Sequence, residues 1–140
     1  MGKAQKYREV SKITELREIY YCEICDNVTE VIHPGAEALV CCGEPMEKLV
    51  AKTEKDEGLE KHVPVVEATE DGITVKVGSV MHPMVEKHYI AFIEVLTEDQ
   101  VLRAELDVEG DPVAHFNVDI DDVIEVREWC NLHGLWKVEL

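Results

Sequence analysis

Apolar and polar residues alternate along most of the second half of the chain. In GITVKVGSV the apolar side chains of Ile73, Val75 and Val77 alternate with polar ones, and Asp71–Gly72 directly before them is a strong hairpin signal. Similar short stretches recur about every 8 to 12 residues, which predicts about seven strands in an antiparallel β-sandwich of immunoglobulin type over residues 61–140. The other predicted strands are EKHVPVVE, HYIAFIEVL, VLRAELDV, AHFNVDI, DVIEVREW and LWKVEL.

The first 20 residues follow a different period. Apolar side chains recur three or four residues apart, the spacing of one helical face, and predict a short helical extension over residues 1–20. Residues 21–50 form a compact cysteine-containing segment, and the charged stretch 51–60 is predicted to be a linker. We therefore expect a mainly β chain, with one small metal domain and one sandwich domain. The periodic residues of the extension are Tyr7, Val10, Ile13, Leu16 and Tyr20.

Composition narrows the range of functions. With 140 residues and 46% hydrophobic content, the chain can build a real core. Its formal net charge of −16 makes nucleic acid a poor partner, since phosphate binding needs a basic surface. No apolar run approaches the roughly 20 residues of a membrane span, and the start MGKAQKYREVSK lacks the apolar core of a signal peptide. We therefore expect a cytoplasmic protein whose thiols stay reduced.

Four of the five cysteines form a predicted metal site. Cys22 and Cys25 are separated by two residues, so one turn can bring both sulfurs to the same ion, and Cys41 and Cys42 complete a set of four thiolates. Disulfides or buried free thiols are the alternatives, but in a reducing compartment clustered cysteines more often bind a metal. Adjacent cysteines are unusual for a zinc ribbon, because neighbouring side chains diverge unless the backbone bends. This favours iron and leaves zinc open.

A second predicted site combines four histidines with the fifth cysteine. A single histidine in a β-rich domain is more often a hydrogen-bonded residue than a ligand. Here, however, all five residues fall at predicted strand ends or loops, where a sandwich gathers side chains from distant parts of the chain. Five imidazole and thiolate ligands are too many for a tetrahedral structural zinc, and they suit a five-coordinate iron with one open position. The residues are His62, His82, His88, Cys130 and His133.

These motifs together resemble those of the desulfoferrodoxins, the two-iron superoxide reductases. The similarity covers residues 21–140, with YCEIC, LVCC, EKHVPV, HPMVEKHYI and CNLHGLWK in the same order. The extension before Tyr21 departs from the family pattern, in which the chain begins nearer the first cysteine. Neither His33 nor His115 matches a ligand position. The resemblance implies a rubredoxin-like or desulforedoxin-like domain with a four-cysteine iron, followed by an immunoglobulin-like domain with the second iron.

The resemblance also implies the roles of the ligands at the second iron. It assigns four equatorial imidazoles and one axial thiolate, that of Cys130. Zinc remains possible in the four-cysteine site. The implied equatorial ligands are His62, His82, His88 and His133.

The activity implied by the resemblance is reduction of superoxide to hydrogen peroxide by one electron and two protons, without release of oxygen. Lys61 would supply local positive charge for the anion, and Glu60 resembles the family carboxylate that occupies the open position after oxidation. Lys87 is a weaker candidate for the same field. The implied partners are superoxide, rubredoxin or a similar one-electron donor, and a second copy in a homodimer. Whether the four-cysteine iron relays electrons or is structural stays open.

Two other functions are alternatives to superoxide reduction. A non-enzymatic metal protein, with a zinc-ribbon-like first site and a binding sandwich, leaves Cys130 and the four histidines unexplained. A pure electron carrier requires a saturated second centre, whereas five ligands leave a sixth position open. Sensitivity of the second centre to small anions would separate the enzyme from the carrier.

Overall fold

The computed structural model describes residues 13–36, 38–53 and 59–140, with the side chains of the last range from Lys61 onwards. It divides into two compact units, residues 1–50 and 51–140. No helix in the described ranges is long and apolar enough to cross a membrane.

The predicted N-terminal helix is wrong where it can be compared with the structure. Residues 1–12 lie outside the described residues, but Ile13 forms an isolated bridge with Ala36, and Ile19 and Tyr20 belong to a strand. β-branched and aromatic residues favour strands, and pairing with two neighbouring strands overrides the helical spacing. The described end of the extension is therefore part of the first unit's β structure.

The first unit is built from five very short strands. Three of them form an antiparallel sheet in the order β2-β1-β5, and β3 and β4 form a separate hairpin. Few residues are buried here, so this unit has too small a core to hold its fold by packing alone. The strands are β1 (Ile19–Tyr21), β2 (Val28–Glu30), β3 (Val40–Cys41), β4 (Glu44–Pro45) and β5 (Glu47–Lys48).

The second unit confirms the predicted seven-stranded sandwich. Its two antiparallel sheets have the strand orders β10-β7-β6 and β12-β11-β8-β9. One helical turn, α1 (Leu59–His62), precedes the first strand. The strands are β6 (Pro64–Thr69), β7 (Gly72–Val77), β8 (Ile90–Leu96), β9 (Val101–Glu105), β10 (Val113–Phe116), β11 (Glu125–Cys130) and β12 (Gly134–Glu139).

The core between the two sheets reaches one end of the sandwich, where Cys130 lies. The apolar face of β7 packs against β8 and β11. Ile90 and Ile93 are three residues apart, yet both lie in the core, because Ala91 of β8 is an extra residue opposite Trp129–Cys130 in a β-bulge. Cys130 is fully buried, so its thiol closes the apolar core rather than facing solvent.

A glycine is required where β7 begins. An alanine Cβ at Gly72 would lie 2.0 Å from the carbonyl oxygen of Phe116, and the φ of +154° already disfavours an L side chain. Because the obstacle is backbone, we expect Gly72→Ala to lower the free energy of unfolding by roughly 2–4 kcal/mol. Urea unfolding measures this loss. Gly110→Ala, whose Cβ would have 3.4 Å to its nearest atom, is the control, and equal losses in the two variants would contradict the argument.

Candidate metal centres

The loop between the first two cysteines is closed by backbone hydrogen bonds. The N–H of Cys22 donates to the carbonyl oxygen of Asn27, and the N–H of Asp26 donates to that of Cys22, both at 2.9 Å. Asp26 has a φ of 67°, a left-handed conformation that Asp tolerates better than most residues. This tight turn brings the side chains of Cys22 and Cys25 to the same side.

The adjacent cysteines lie on the β3–β4 hairpin. Cys42 and Gly43 have positive φ values of 54° and 78°, so the backbone turns sharply directly after Cys41. The two sulfurs of Cys41 and Cys42 are consequently 4.0 Å apart instead of diverging. The backbone bend that a shared ion requires is therefore present.

The four sulfurs form one cluster of metal-binding size. All four lie within 4.8 Å of one another, and those of Cys25 and Cys41 are 3.5 Å apart. Four thiolates around one ion at about 2.3 Å would be about 3.8 Å from each other. A hydrogen bond from the backbone N–H of Cys25 lowers the pKa of Cys22 to about 7, whereas hydrogen bonds to the neighbouring thiols raise that of Cys42 to about 12. A bound cation would remove this competition for protons.

The second cluster is assembled from three stretches of the second unit. His62 was predicted to open the first strand, but it is the last residue of α1. Pro64, which has no N–H and restricts the residue before it, ends the helical turn and begins β6. His82 and His88 lie between β7 and β8, and Cys130 and His133 lie at the turn between β11 and β12.

The four imidazoles stand at the corners of an approximate square. Adjacent ring centroids are 4.6 to 5.0 Å apart around the cycle, whereas His62 and His88, at opposite corners, are 6.5 Å apart. The sulfur of Cys130 lies 3.4 Å from Nε2 of His82 and 3.8 Å from Nδ1 of His133. All five ligand atoms are within 4.8 Å of one another. The set can therefore hold one ion with four nitrogens and one sulfur.

The hydrogen bonds indicate which nitrogens face the centre. Nδ1 of His82 is 2.6 Å from the carbonyl oxygen of Pro83, so this nitrogen carries the proton and leaves Nε2 for a metal. Nε2 of His62 lies 3.1 Å from Nδ1 of His133. Nε2 of His88 is buried with no hydrogen-bond partner in the described ranges. Burying such a nitrogen costs free energy unless it binds an ion.

Protonation also favours metal binding at two of the imidazoles, those of His82 and His88. Burial, reinforced by the neighbouring imidazoles, lowers the pKa of His82 to about 4, and burial likewise lowers the pKa of His88. Both rings are therefore neutral near pH 7, as ligands must be. Burial raises the pKa of the Cys130 thiol, and this rise is opposed mainly by backbone hydrogen bonds from Leu132 and His133 and least by the charge of Lys52. Deprotonation of this thiol is thus coupled to the arrival of a cation.

The remaining predicted site residues surround this cluster. The side chain of Glu60 lies outside the described residues. Lys61 is exposed on α1, and its charge contributes to the lowered pKa of His88. Lys87 is exposed beside His88. His115 contacts Thr74 and Asp71 on the surface, and His33 lies in the first unit, so both are outside the two clusters.

Two residues of the motif CNLHGLWK received no role from the sequence. Trp136 stacks on His62, with ring centroids 4.6 Å apart and planes 15° apart, and its Nε1 donates to the carbonyl oxygen of His133 at 3.0 Å. Asn131 connects the turn between β11 and β12 with the backbone on either side of His88 by three hydrogen bonds. Its Oδ1 accepts from the N–H of Tyr89, its Nδ2 donates to the oxygen of Lys87, and its own N–H donates to the oxygen of Tyr89.

A small β unit with four clustered thiols, followed by an immunoglobulin-like sandwich with four imidazoles and a thiol, defines a class of two-site metal-binding proteins. The comparisons with known proteins agree with this class. The chain belongs to the desulfoferrodoxin family: the family's main model matches residues 54–139 and the model of its N-terminal domain matches residues 14–49.

Relatives match nearly the whole chain. The desulfoferrodoxin homologue of Methanothermobacter thermautotrophicus is 52% identical, over 89% of this chain and 99% of its own length. The desulfoferrodoxin of Syntrophotalea carbinolica is 51% identical, over 91% and 99%. Among solved structures, the superoxide reductase from Treponema pallidum matches with a TM-score of 0.73 at 33% identity, covering 89% of this chain and 98% of that one.

Loss of the Asn131 side chain should loosen the second cluster. Asn131→Ala removes the two side-chain hydrogen bonds on either side of His88, so we expect about 1–2 kcal/mol less stability and faster loss of a metal from this site. Dissociation into an excess of chelator measures the rate. Asn117→Ala, at an exposed loop position, is the control. Equal dissociation rates in the two variants would show that Asn131 does not hold the ligands.

Proposed function

We propose that this protein is a superoxide reductase, which converts superoxide, one electron and two protons into one hydrogen peroxide. The observation that carries the proposal is the square of four imidazoles with the Cys130 sulfur beside it. Five ligands leave a sixth position for a small anion, unlike a saturated electron-transfer site. The solved structure from Treponema pallidum, which carries the name superoxide reductase, supports the same activity.

Iron is the proposed metal of both sites, with zinc as the alternative in the four-cysteine site. Ferrous iron bound by the second set would supply the electron and the open position for superoxide. The proposed ligands are His62, His82, His88, His133 and Cys130, and in the first site Cys22, Cys25, Cys41 and Cys42.

The surrounding residues have separate proposed roles. Since the chain carries a net charge of −16, its overall field repels an anion, and capture depends on local cations. Lys61, exposed next to His62, would attract superoxide and order the water that delivers protons. Lys87 would add to the same field. We propose, from the family resemblance, that the carboxylate of Glu60 helps to expel product after oxidation.

Partners and compartment follow from the same chemistry. Each turnover needs one external electron, for which rubredoxin or a similar small donor is proposed. The exposed apolar side chains of Ile24, Ile32 and Val40 in the first unit support a homodimer through that unit. We also propose that the protein is cytoplasmic, because thiols stay reduced there and can bind a metal.

The proposal is tested by metal content, spectrum and stoichiometry together. We expect two irons per chain and a thiolate-to-iron band from the second site that appears on mild oxidation and is lost in Cys130→Ala. A reductase consumes one reductant electron and forms one peroxide per superoxide, with no oxygen evolved. A single zinc with no oxidisable iron, or oxygen formed with half the peroxide, would overturn the assignment.

Lys61→Ile should slow capture of superoxide about tenfold and flatten its dependence on ionic strength, because a local attractive charge is lost. Pulse radiolysis at several salt concentrations measures both effects. Lys137→Ile is the control, because it removes the same charge from the same unit. The Lys137 ammonium, however, contacts Glu125, which lies five residues, about 17 Å, along β11 from Cys130. Equal rates in the two variants would remove Lys61 from the mechanism.

A further inference from the structure

Lys52 is held beside the second cluster by its backbone. It precedes the first strand of the sandwich, yet it pairs with Trp136 of β12 in a parallel bridge. Its N–H donates to the oxygen of Leu135, and its own oxygen accepts from the N–H of Lys137, both at 2.9 Å. The Lys52 side chain is exposed, but these two backbone hydrogen bonds fix the position of its Cα atom.

The ammonium of Lys52 contacts the turn that carries two of the ligands. Its Nζ donates to the carbonyl oxygen of His133 at 3.0 Å, the same oxygen that accepts from Nε1 of Trp136. Nζ also lies 5.2 Å from the centroid of the Trp136 ring, within the range of a cation–π interaction. One charge therefore contacts both the ligand turn and the aromatic ring beside it.

The contacts continue to the ligand nitrogens. Trp136 is buried and stacks on the His62 ring, and Nε2 of His62 faces Nδ1 of His133 at 3.1 Å. Contacts thus connect the Lys52 ammonium with two imidazoles, through the His133 carbonyl on one side and the Trp136 indole on the other. An ordinary solvated lysine would have neither contact.

We infer that Lys52 is a positioning residue of the second centre, which holds the His133–Trp136 turn and raises the centre's reduction potential by its charge. The inference rests on the proposed iron at this site. Reduction adds one electron and lowers the charge of the ion from +3 to +2, so a nearby cation favours the reduced form. The lysine that acts on the metal in this inference, Lys52, is therefore different from Lys61, which is proposed to attract superoxide.

The test is a spectroelectrochemical titration of the iron-loaded full chain, with the thiolate-to-iron band of the second site as readout. Lys52→Met keeps the length of the stem and removes the charge, Lys52→Arg keeps the charge and a donor, and Lys137→Met is the matched control. For Lys52→Met we expect the ratio of oxidised to reduced centre at fixed potential to rise about threefold, roughly a 30 mV fall. Lys52→Arg should stay close to the unsubstituted chain, and Lys137→Met should not shift.

The outcomes separate this inference from the proposed function. A shift in Lys52→Met no larger than in Lys137→Met would overturn the inference alone, as would equal shifts in Lys52→Met and Lys52→Arg. If the unsubstituted chain takes up no iron at the second site, no band appears. The proposed function then fails, and the inference fails with it.

Discussion

The second cluster depends on antiparallel pairing, which gathers its ligands at one end of the sandwich. Pro64 of β6 pairs with Val77 of β7, so the start of one strand lies beside the end of the other. In the second sheet Cys130, at the end of β11, pairs with Ile90 at the start of β8 and with Gly134 at the start of β12. Every ligand adjoins one of these strand ends. A register error in either sheet would separate the ligands, since a one-residue slip turns each side chain to the other face.

Pairing brings the ligands together, but their own chemistry does not hold them there. Neutral imidazoles attract each other weakly, and Nε2 of His88 is buried without a hydrogen-bond partner in the described ranges. Surrounding contacts therefore order these side chains before an ion binds. Asn131 forms hydrogen bonds with the backbone on either side of His88, and Trp136 stacks on the His62 ring. This preorganisation lowers the share of the binding free energy that is used to order side chains.

Sequence was sufficient for what depends on period and residue type. Alternation and turn residues predicted the seven strands, and residue types at strand ends indicated the five residues that the structure brings together in the second cluster. Properties that depend on contacts between residues distant in sequence could not be predicted. The apolar spacing up to Tyr20 predicted a helix, but the strand that contains Tyr20 pairs with two neighbouring strands. The bulge at Ala91 cannot be recognised from the pattern of apolar and polar residues. The contact of Lys52 with the His133 carbonyl spans 81 residues, and no local motif indicates it.

The acidity of the chain explains why two lysines near one centre can have different tasks. Against a net charge of −16, a single cation changes the field only over a short distance, because ions in solution screen it within about 10 Å. Lys61 is exposed on α1, where we propose that it meets superoxide, whereas the ammonium of Lys52 contacts a carbonyl oxygen and an indole face. In these two proposals, the charge of Lys61 would act on an anion that approaches from solution, and the charge of Lys52 would act on an ion that is already bound. The two proposals together predict that separate substitutions adjust the rate of anion capture and the reduction potential.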